Sequence, residues 1–282
     1  MPPVSELLLM NFAAHCHQQL KLRYSTIKLY LCGIRHFFLS SAVECPLYTQ
    51  NSNFARLQLV MNGIKRMDGR PKLARYPVTF PVLHALCTRL RKGVFNIKLD
   101  RMMETACVVA FFGFLRCGEF TCMNSFDPTT NLCVSDITRA DDHTILSLKT
   151  SKTDPFRKGV HIRLFCTSKS VCPKCILDKY ISTRYREGAT STDALFVATN
   201  GQPLTRNVFI GMLRQVLSLC GFESHLFNGH SFRIGAATSA ASKHIEDHLI
   251  KTMGRWSSDS YCRYIRTSKE VLHSAQKCLS DL

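Results

Sequence analysis

Between Asp68 and Pro81 the periodic pattern of the chain stops. Gly69, Pro71, Pro77 and Pro81 fall close together there, interleaved with Arg70, Lys72 and Arg75. Each proline removes a backbone N–H donor and pushes the residue before it towards extended backbone, so no helix or central strand runs through this stretch. It reads as a basic, extended linker, and it divides the chain into two expected domains, 1–75 and 76–282.

Before the break, Leu8, Phe12, Leu20, Leu29, Ile34 and Phe38 fall into helical clusters that predict two helices, with Ser25 as the N-cap of the second. A third helix is predicted from Phe54 to Met67, its stripe Leu57, Val60, Met61 and Ile64 ending in Lys65 and Arg66, where the helix dipole favours positive charge. After the break, Val82 to Leu90 and Arg101 to Phe114 read as helices. Thr144 to Leu148 and Val160 to Leu164 alternate like the strands of a hairpin whose turn is Lys149 to Gly159. Further helices are predicted around Cys175 to Arg186, from Thr205 to Leu219, and as one element from Ile234 to Met253, with a last amphipathic piece after Arg266 carrying Val271, Leu272, Ala275 and Leu279. The expected fold class is mainly α with a small β-sheet (α+β).

Composition bounds what such a chain can do. Hydrophobic residues make up 45%, with 18 Phe, so each domain has material for a packed core. The longest apolar run, Ala106 to Leu115, has ten residues, about half of the roughly 20 that a membrane span needs. Met1-Pro-Pro-Val-Ser-Glu does not resemble a secretory signal, so an intracellular, reducing location is expected, with no membrane partner. The 14 Cys are scattered and often sit in apolar runs, where a reduced thiol behaves as a small hydrophobe. Cys172 and Cys175 have CxxC spacing, but no second CxxC or His pair follows at a ligand-like distance, and no metal site is expected.

The net charge of +17 calls for a polyanionic partner. Both halves share it: ten basic residues face three acidic ones before Val78, and 27 face 17 from there on. Two positive jaws suit a clamp around a polyanion such as double-stranded DNA better than one basic tail would, and charge alone does not choose that partner. In the first domain Lys21, Arg23, Lys28, Arg35, Lys65 and Arg66 are expected to touch backbone phosphates, which positions a duplex without reading its sequence.

Three clusters carry candidate chemistry. Phe111-Phe-Gly-Phe-Leu-Arg116-Cys-Gly-Glu119 ends an apolar run in an Arg and, three residues on, a Glu. His230-Ser-Phe-Arg233 opens a helix of small residues, and Gly254-Arg-Trp256-Ser holds the only Trp of the chain, followed by Tyr261 and Tyr264. Each alone is a weak signal, since an i, i+3 charged pair is a common surface feature. Metal-free cleavage of a phosphodiester needs fixed cations, a nucleophile and a proton donor, and the set supplies all three.

In order, Arg116, a Lys in the hairpin turn, His230 with Arg233, Trp256 and a Tyr resemble the tyrosine recombinase (phage integrase) family over nearly the whole chain. Leu115-Arg-Cys-Gly-Glu, Ser151-Lys-Thr-Asp and Tyr264-Ile-Arg look most like the branch carried by eukaryotic mobile elements, the tyrosine-recombinase retrotransposons and Cryptons. The resemblance implies a helical core-binding (SAM-like) domain, a catalytic domain, a nuclear location and a homo-oligomer, a tetramer, on DNA. It implies site-specific DNA recombination or integration through a 3'-phosphotyrosyl link, with no metal or other cofactor. Tyr264 would be the nucleophile, Arg116 and Arg233 would hold the phosphate, and His230 would take a proton or steady the phosphate. Trp256 would donate its indole N–H or wall off the site, and Glu119 would brace its neighbours. For the general acid the hairpin turn offers Lys149, Lys152 and Lys158, of which Lys152, in Ser-Lys-Thr, fits the family string. Tyr264 lies eight residues after Trp256 where many members have nine, and Tyr261 lies five after it. Two other readings share the fold: a domesticated DNA-binding protein without chemistry, and a type IB topoisomerase-like enzyme.

Overall fold

A computed structural model describes residues 4–42, 54–69 and 75–267 apart from 124, 152, 153, 155, 157, 199 and 200, together with 272, 273, 276 and 277. The chain forms two compact units, Met1–Ala74 and Arg75–Leu282.

In the first unit, α1 (Glu6–Gln18), α2 (Tyr24–Ser40) and α3 (Ala55–Met67) enclose a small core of Leu9, Ala13, Cys16, Ile27, Leu57, Met61 and Ile64. Ser5 caps α1, its Oγ accepting the Leu8 amide at 3.2 Å. The Glu6 carboxylate does the same for α3 from a distance, accepting the Arg56 and Leu57 amides at 2.8 and 3.1 Å. Ser25 is not the cap of α2. The helix starts earlier, at Arg23, whose carbonyl accepts from Thr26 and Ile27, and the free amide of Tyr24 is met by the Asp68 carboxylate at the end of α3.

The second unit is built round α5 (Ile97–Phe112), which is buried along most of its length from Met102 to Phe111 and packs against α4 (Phe80–Arg91), α7 (Pro173–Arg186) and α9 (Ser231–Ser242). A helix apolar on every side belongs in the middle of a core. Against α7 packs an antiparallel sheet of β1 (Ile137–Arg139), β2 (His143–Leu148) and β3 (Val160–Phe165) in that order. The hairpin pairs Ser147 with His161, and Thr144, Leu146 and Leu148 face inward. The strand β1 lies beyond the two that alternation predicts.

The single helix expected from Ile234 to Met253 is two, α9 and α10 (Asp247–Met253). His244 adopts φ 56°, and the Ile245 and His244 amides return to the carbonyls of Ala240 and Ala241, which closes α9. Val78 is fixed to the start of α9, its amide donating to the Ser231 carbonyl at 2.9 Å. A Cβ on Gly235 would lie 1.8 Å from the Val78 oxygen, so only glycine allows that approach. Of the stripe expected after Arg266, only Leu272 is described, and it is exposed; Val271, Ala275 and Leu279 lie outside the described residues. Among the described residues no helix is long and apolar enough to cross a membrane.

Candidate active site

Arg116 does not end α5. The helix stops at Phe112, and Gly113 and the left-handed Phe114 (φ 49°) turn the chain so that Arg116 becomes the N-cap of a separate one-turn helix, α6 (Cys117–Phe120). Glu119, three residues on, returns its carboxylate to the Arg116 amide at 2.8 Å, the reciprocal half of a capping box. The same carboxylate accepts from the Arg116 guanidinium at 2.8 Å, the Ser151 hydroxyl at 3.1 Å and the Arg255 guanidinium at 2.8 Å, with its side chain only 5% exposed. Burial alone would push Glu119 up; Arg255 and Arg116 outweigh it and hold the carboxyl below the usual range.

This hub faces an open pocket of about 610 Å³ lined by Arg116, Ser151, Arg206, His230, Arg255, Trp256 and Tyr264. Arg233 lies behind it, fully buried. Its guanidinium donates to the carbonyls of Phe114, at 2.6 Å, and Gly254, and stacks 4.2 Å from the Trp256 ring centroid. Burial first, then the charges of Arg116 and Arg255, pulls Arg233 down to about 9, which leaves it charged at neutral pH. Burial and four arginines, Arg75, Arg206, Arg233 and Arg116, hold His230 below the ordinary histidine range. Its Nδ1 is buried with no hydrogen-bond partner among the described residues.

The two tyrosines differ in setting. Tyr261 is buried at 6% exposure, and burial, with Cys262 and Asp247 beside it, raises its phenol. Tyr264 follows the 3-10 turn Asp259–Arg263, is half-buried and lines the pocket, its ring 5.3 Å from Trp256. It is tied to α9 through its carbonyl, which accepts from the Thr238 hydroxyl at 3.1 Å. Trp256 lies over Gly254, where a Cβ would sit 1.5 Å from the ring.

Of the turn lysines, Lys149 is committed elsewhere. Its ammonium pairs with Asp136 at 2.7 Å and donates to the Pro128 and Asn131 carbonyls at 2.8 and 3.2 Å. Lys158 is exposed, and Lys152 lies outside the described residues, next to pocket-lining Ser151. In the first unit Lys21, Arg23, Lys28, Arg35, Lys65 and Arg66 are all exposed, and Lys28 and Arg35 border a groove of about 680 Å³.

Two pocket cations were not singled out by the sequence reading. Arg255, beside Trp256, turns back on a left-handed φ of 55° to donate to the Gly113 carbonyl at 2.8 Å as well as to Glu119. Arg206 opens α8 (Arg206–Leu219), where the dipole disfavours a cation. That misplaced charge was the available signal.

Comparison with known proteins places the chain. Residues 129–270, half of it and all within the second unit, match the phage integrase family, and the chain belongs to that family, the tyrosine recombinases. An integrase/recombinase xerD homolog of Selenomonas ruminantium is 25% identical over 215 residues, covering 74% of this chain and 59% of the relative, so the chain spans well under two thirds of that relative's length. Solved structures of recombinases and integrases share the fold. The XerH site-specific recombinase bound to palindromic difH substrate has TM-score 0.63 and 14% identity over 98% of this chain and 70% of that one. The Tn1549 transposon integrase in complex with circular intermediate DNA has TM-score 0.60 and 15% identity over 97% and 85%.

Proposed function

We propose that the protein cuts and rejoins duplex DNA through a 3'-phosphotyrosyl intermediate, as a site-specific recombinase or integrase of a mobile element. The observation that carries this reading is the convergence of Arg116, Arg206, Arg255 and His230 on one pocket, with Arg233 buried behind it, that also presents the half-buried Tyr264 and has Glu119 as the one carboxylate among its described lining side chains. Like charges gathered in a partly buried space depress one another's affinity for protons, and a phosphate diester relieves that repulsion.

The Tyr264 oxygen bonds to phosphorus while the bond to the 5'-oxygen breaks. His230, held neutral at pH 7, accepts the phenolic proton, and Lys152 gives one to the leaving oxygen. Arg116 meets a non-bridging oxygen from the pocket wall. Arg233 reaches the second by exchanging its bond to the Gly254 carbonyl for one to phosphate, because a charged acceptor makes the stronger bond. Glu119 orients Arg116 and Arg255, and Trp256 walls the phosphate from solvent. A second 5'-hydroxyl then reverses the attack, with no cofactor consumed.

The first unit, with its exposed Lys and Arg, grips DNA through the backbone phosphates. A homo-oligomer, a tetramer on DNA, fits an apolar groove of about 680 Å³ on the second unit that includes Phe80, Phe111, Phe112, Met253 and Ile265, the residue after Tyr264. The nucleus is the location this reading requires of a eukaryotic element's enzyme.

The test is covalent trapping on a randomised pool of nicked duplexes in magnesium-free buffer. Wild type and Tyr261→Phe should form a protein–DNA adduct, and Tyr264→Phe should form none. No adduct with wild type, or one that survives Tyr264→Phe, overturns the assignment. Salt-sensitive duplex binding with no adduct would leave a binding protein without chemistry.

A further inference from the structure

Where β3 hands over to α7, away from the pocket, three cysteines meet. The sulfurs of Cys166, Cys172 and Cys175 all lie within 4.8 Å of one another, and Cys166 Sγ is 3.8 Å from both Cys172 Sγ and Cys175 Sγ. A zinc–thiolate bond is about 2.3 Å, which puts two thiolates on a tetrahedral ion about 3.8 Å apart. A disulfide would need about 2.05 Å. The three sulfurs are spread as ligands of one ion.

The fold sets that spread. Cys166 directly follows β3 and is fixed by its amide, which donates to the Asp142 carbonyl at 2.9 Å. Cys172 is the N-cap of α7 and Cys175 is in its first turn. The five residues between Cys166 and Cys172 double back through Ser168, held at φ 51°, a conformation that a residue with a Cβ adopts at some cost. The Thr167 amide donates to Cys172 Sγ at 3.3 Å, the kind of outer contact that orients a metal-bound sulfur. Cys172 is buried while Cys166 and Cys175 are exposed, and no fourth His, Cys, Asp or Glu joins the group among the described residues. CxxC spacing alone did not predict a site, because its third member is six residues upstream rather than downstream.

We propose that Cys166, Cys172 and Cys175 bind one zinc ion as thiolates, with water in the fourth position, and that the ion braces β3 against α7. Binding releases the thiol protons to solvent and couples zinc affinity to the stability of this junction. The site is structural and independent of the strand-exchange reading, since no step of that chemistry passes through it.

The experiment uses the full chain, purified with reductant, and reads metal content by elemental mass spectrometry and cobalt(II) binding by absorption. The expected result is one zinc per chain and thiolate-to-cobalt charge-transfer bands. Cys172→Ser and Cys175→Ser should lose both, while Cys262→Ser, which changes an exposed thiol elsewhere, should keep both. Wild type that holds no metal after loading with zinc, or Cys172→Ser that binds as much as wild type, overturns the proposal. So does a Cys–Cys bond that persists under reductant in place of bound metal. If the serine variants do not fold, the cobalt spectrum of wild type decides alone: bands support the site and their absence refutes it.

Discussion

Replacing Glu119 with Gln tests whether one carboxylate holds the pocket's cations in place. Gln keeps the shape but loses the charge, and its amide nitrogen must face a guanidinium, donor against donor, on either the Arg116 or the Arg255 side. Breaking a buried ion pair by removing one partner costs about 3–5 kcal/mol, and the isosteric amide puts this case at about 3. For a unit of this size each kcal/mol lowers the midpoint by about 2–4 °C, so the expected fall in Tm is about 6–12 °C at pH 7. The lowered pKa of Glu119 fixes the pH dependence. Its contribution is fully present above the usual carboxylate range and is lost as pH falls through the depressed value, so wild type and variant converge in acid. Inorganic phosphate should stabilise the variant more than wild type, because an anion in the pocket replaces the missing charge. The assay is thermal unfolding followed by circular dichroism, with and without phosphate. A shift under about 2 °C at pH 7 would refute the view that Glu119 restrains mutually repelling cations.

Lys149→Met should cost about 2–4 kcal/mol by stranding Asp136, yet leave the adduct yield per folded molecule unchanged. If it folds normally and fails to trap DNA, the general acid is not Lys152. His230→Gln should flatten the loss of Tm on acidification below the ordinary histidine range: the depressed pKa means His230 contributes stability above that range that disappears as pH falls, and identical slopes would contradict this. Gly235→Ala should cost at least about 2 kcal/mol, because the Val78 carbonyl is backbone and cannot yield. Gly33→Ala in α2, with no neighbour within 4 Å, should be neutral or stabilising by up to about 1 kcal/mol, and urea titration of both glycine variants checks the pair.

Helices bounded by strong signals were legible in the sequence. The stripe of α3 and the span of α8, expected from Thr205 and found from Arg206 with Thr205 as its cap, both depend on local chemistry that the sequence displays. β1 was not legible, since three residues are too few to establish an alternation. The α9–α10 break was hidden because His244 occupies a left-handed position where glycine is the usual signal. In the site, Arg116 and Glu119 were readable as a local pair, whereas the Arg255–Glu119 bond joins residues 136 positions apart and is made by the fold alone. Cys166 was overlooked for a related reason: a strained loop brings it to Cys172 and Cys175 without any spacing rule.

Because Arg233 clasps the carbonyls of Phe114 and Gly254, it is mortar between the segments that present Arg116 and Trp256, whatever the pocket does afterwards. A relative without the proposed chemistry would still need this side chain to keep its interior assembled, while Tyr264 and His230, which line the pocket, could drift. Among copies of such a chain, an intact Arg233 therefore reports an assembled interior, and the proposed chemistry is reported instead by side chains that face the pocket, Tyr264 and His230 among them.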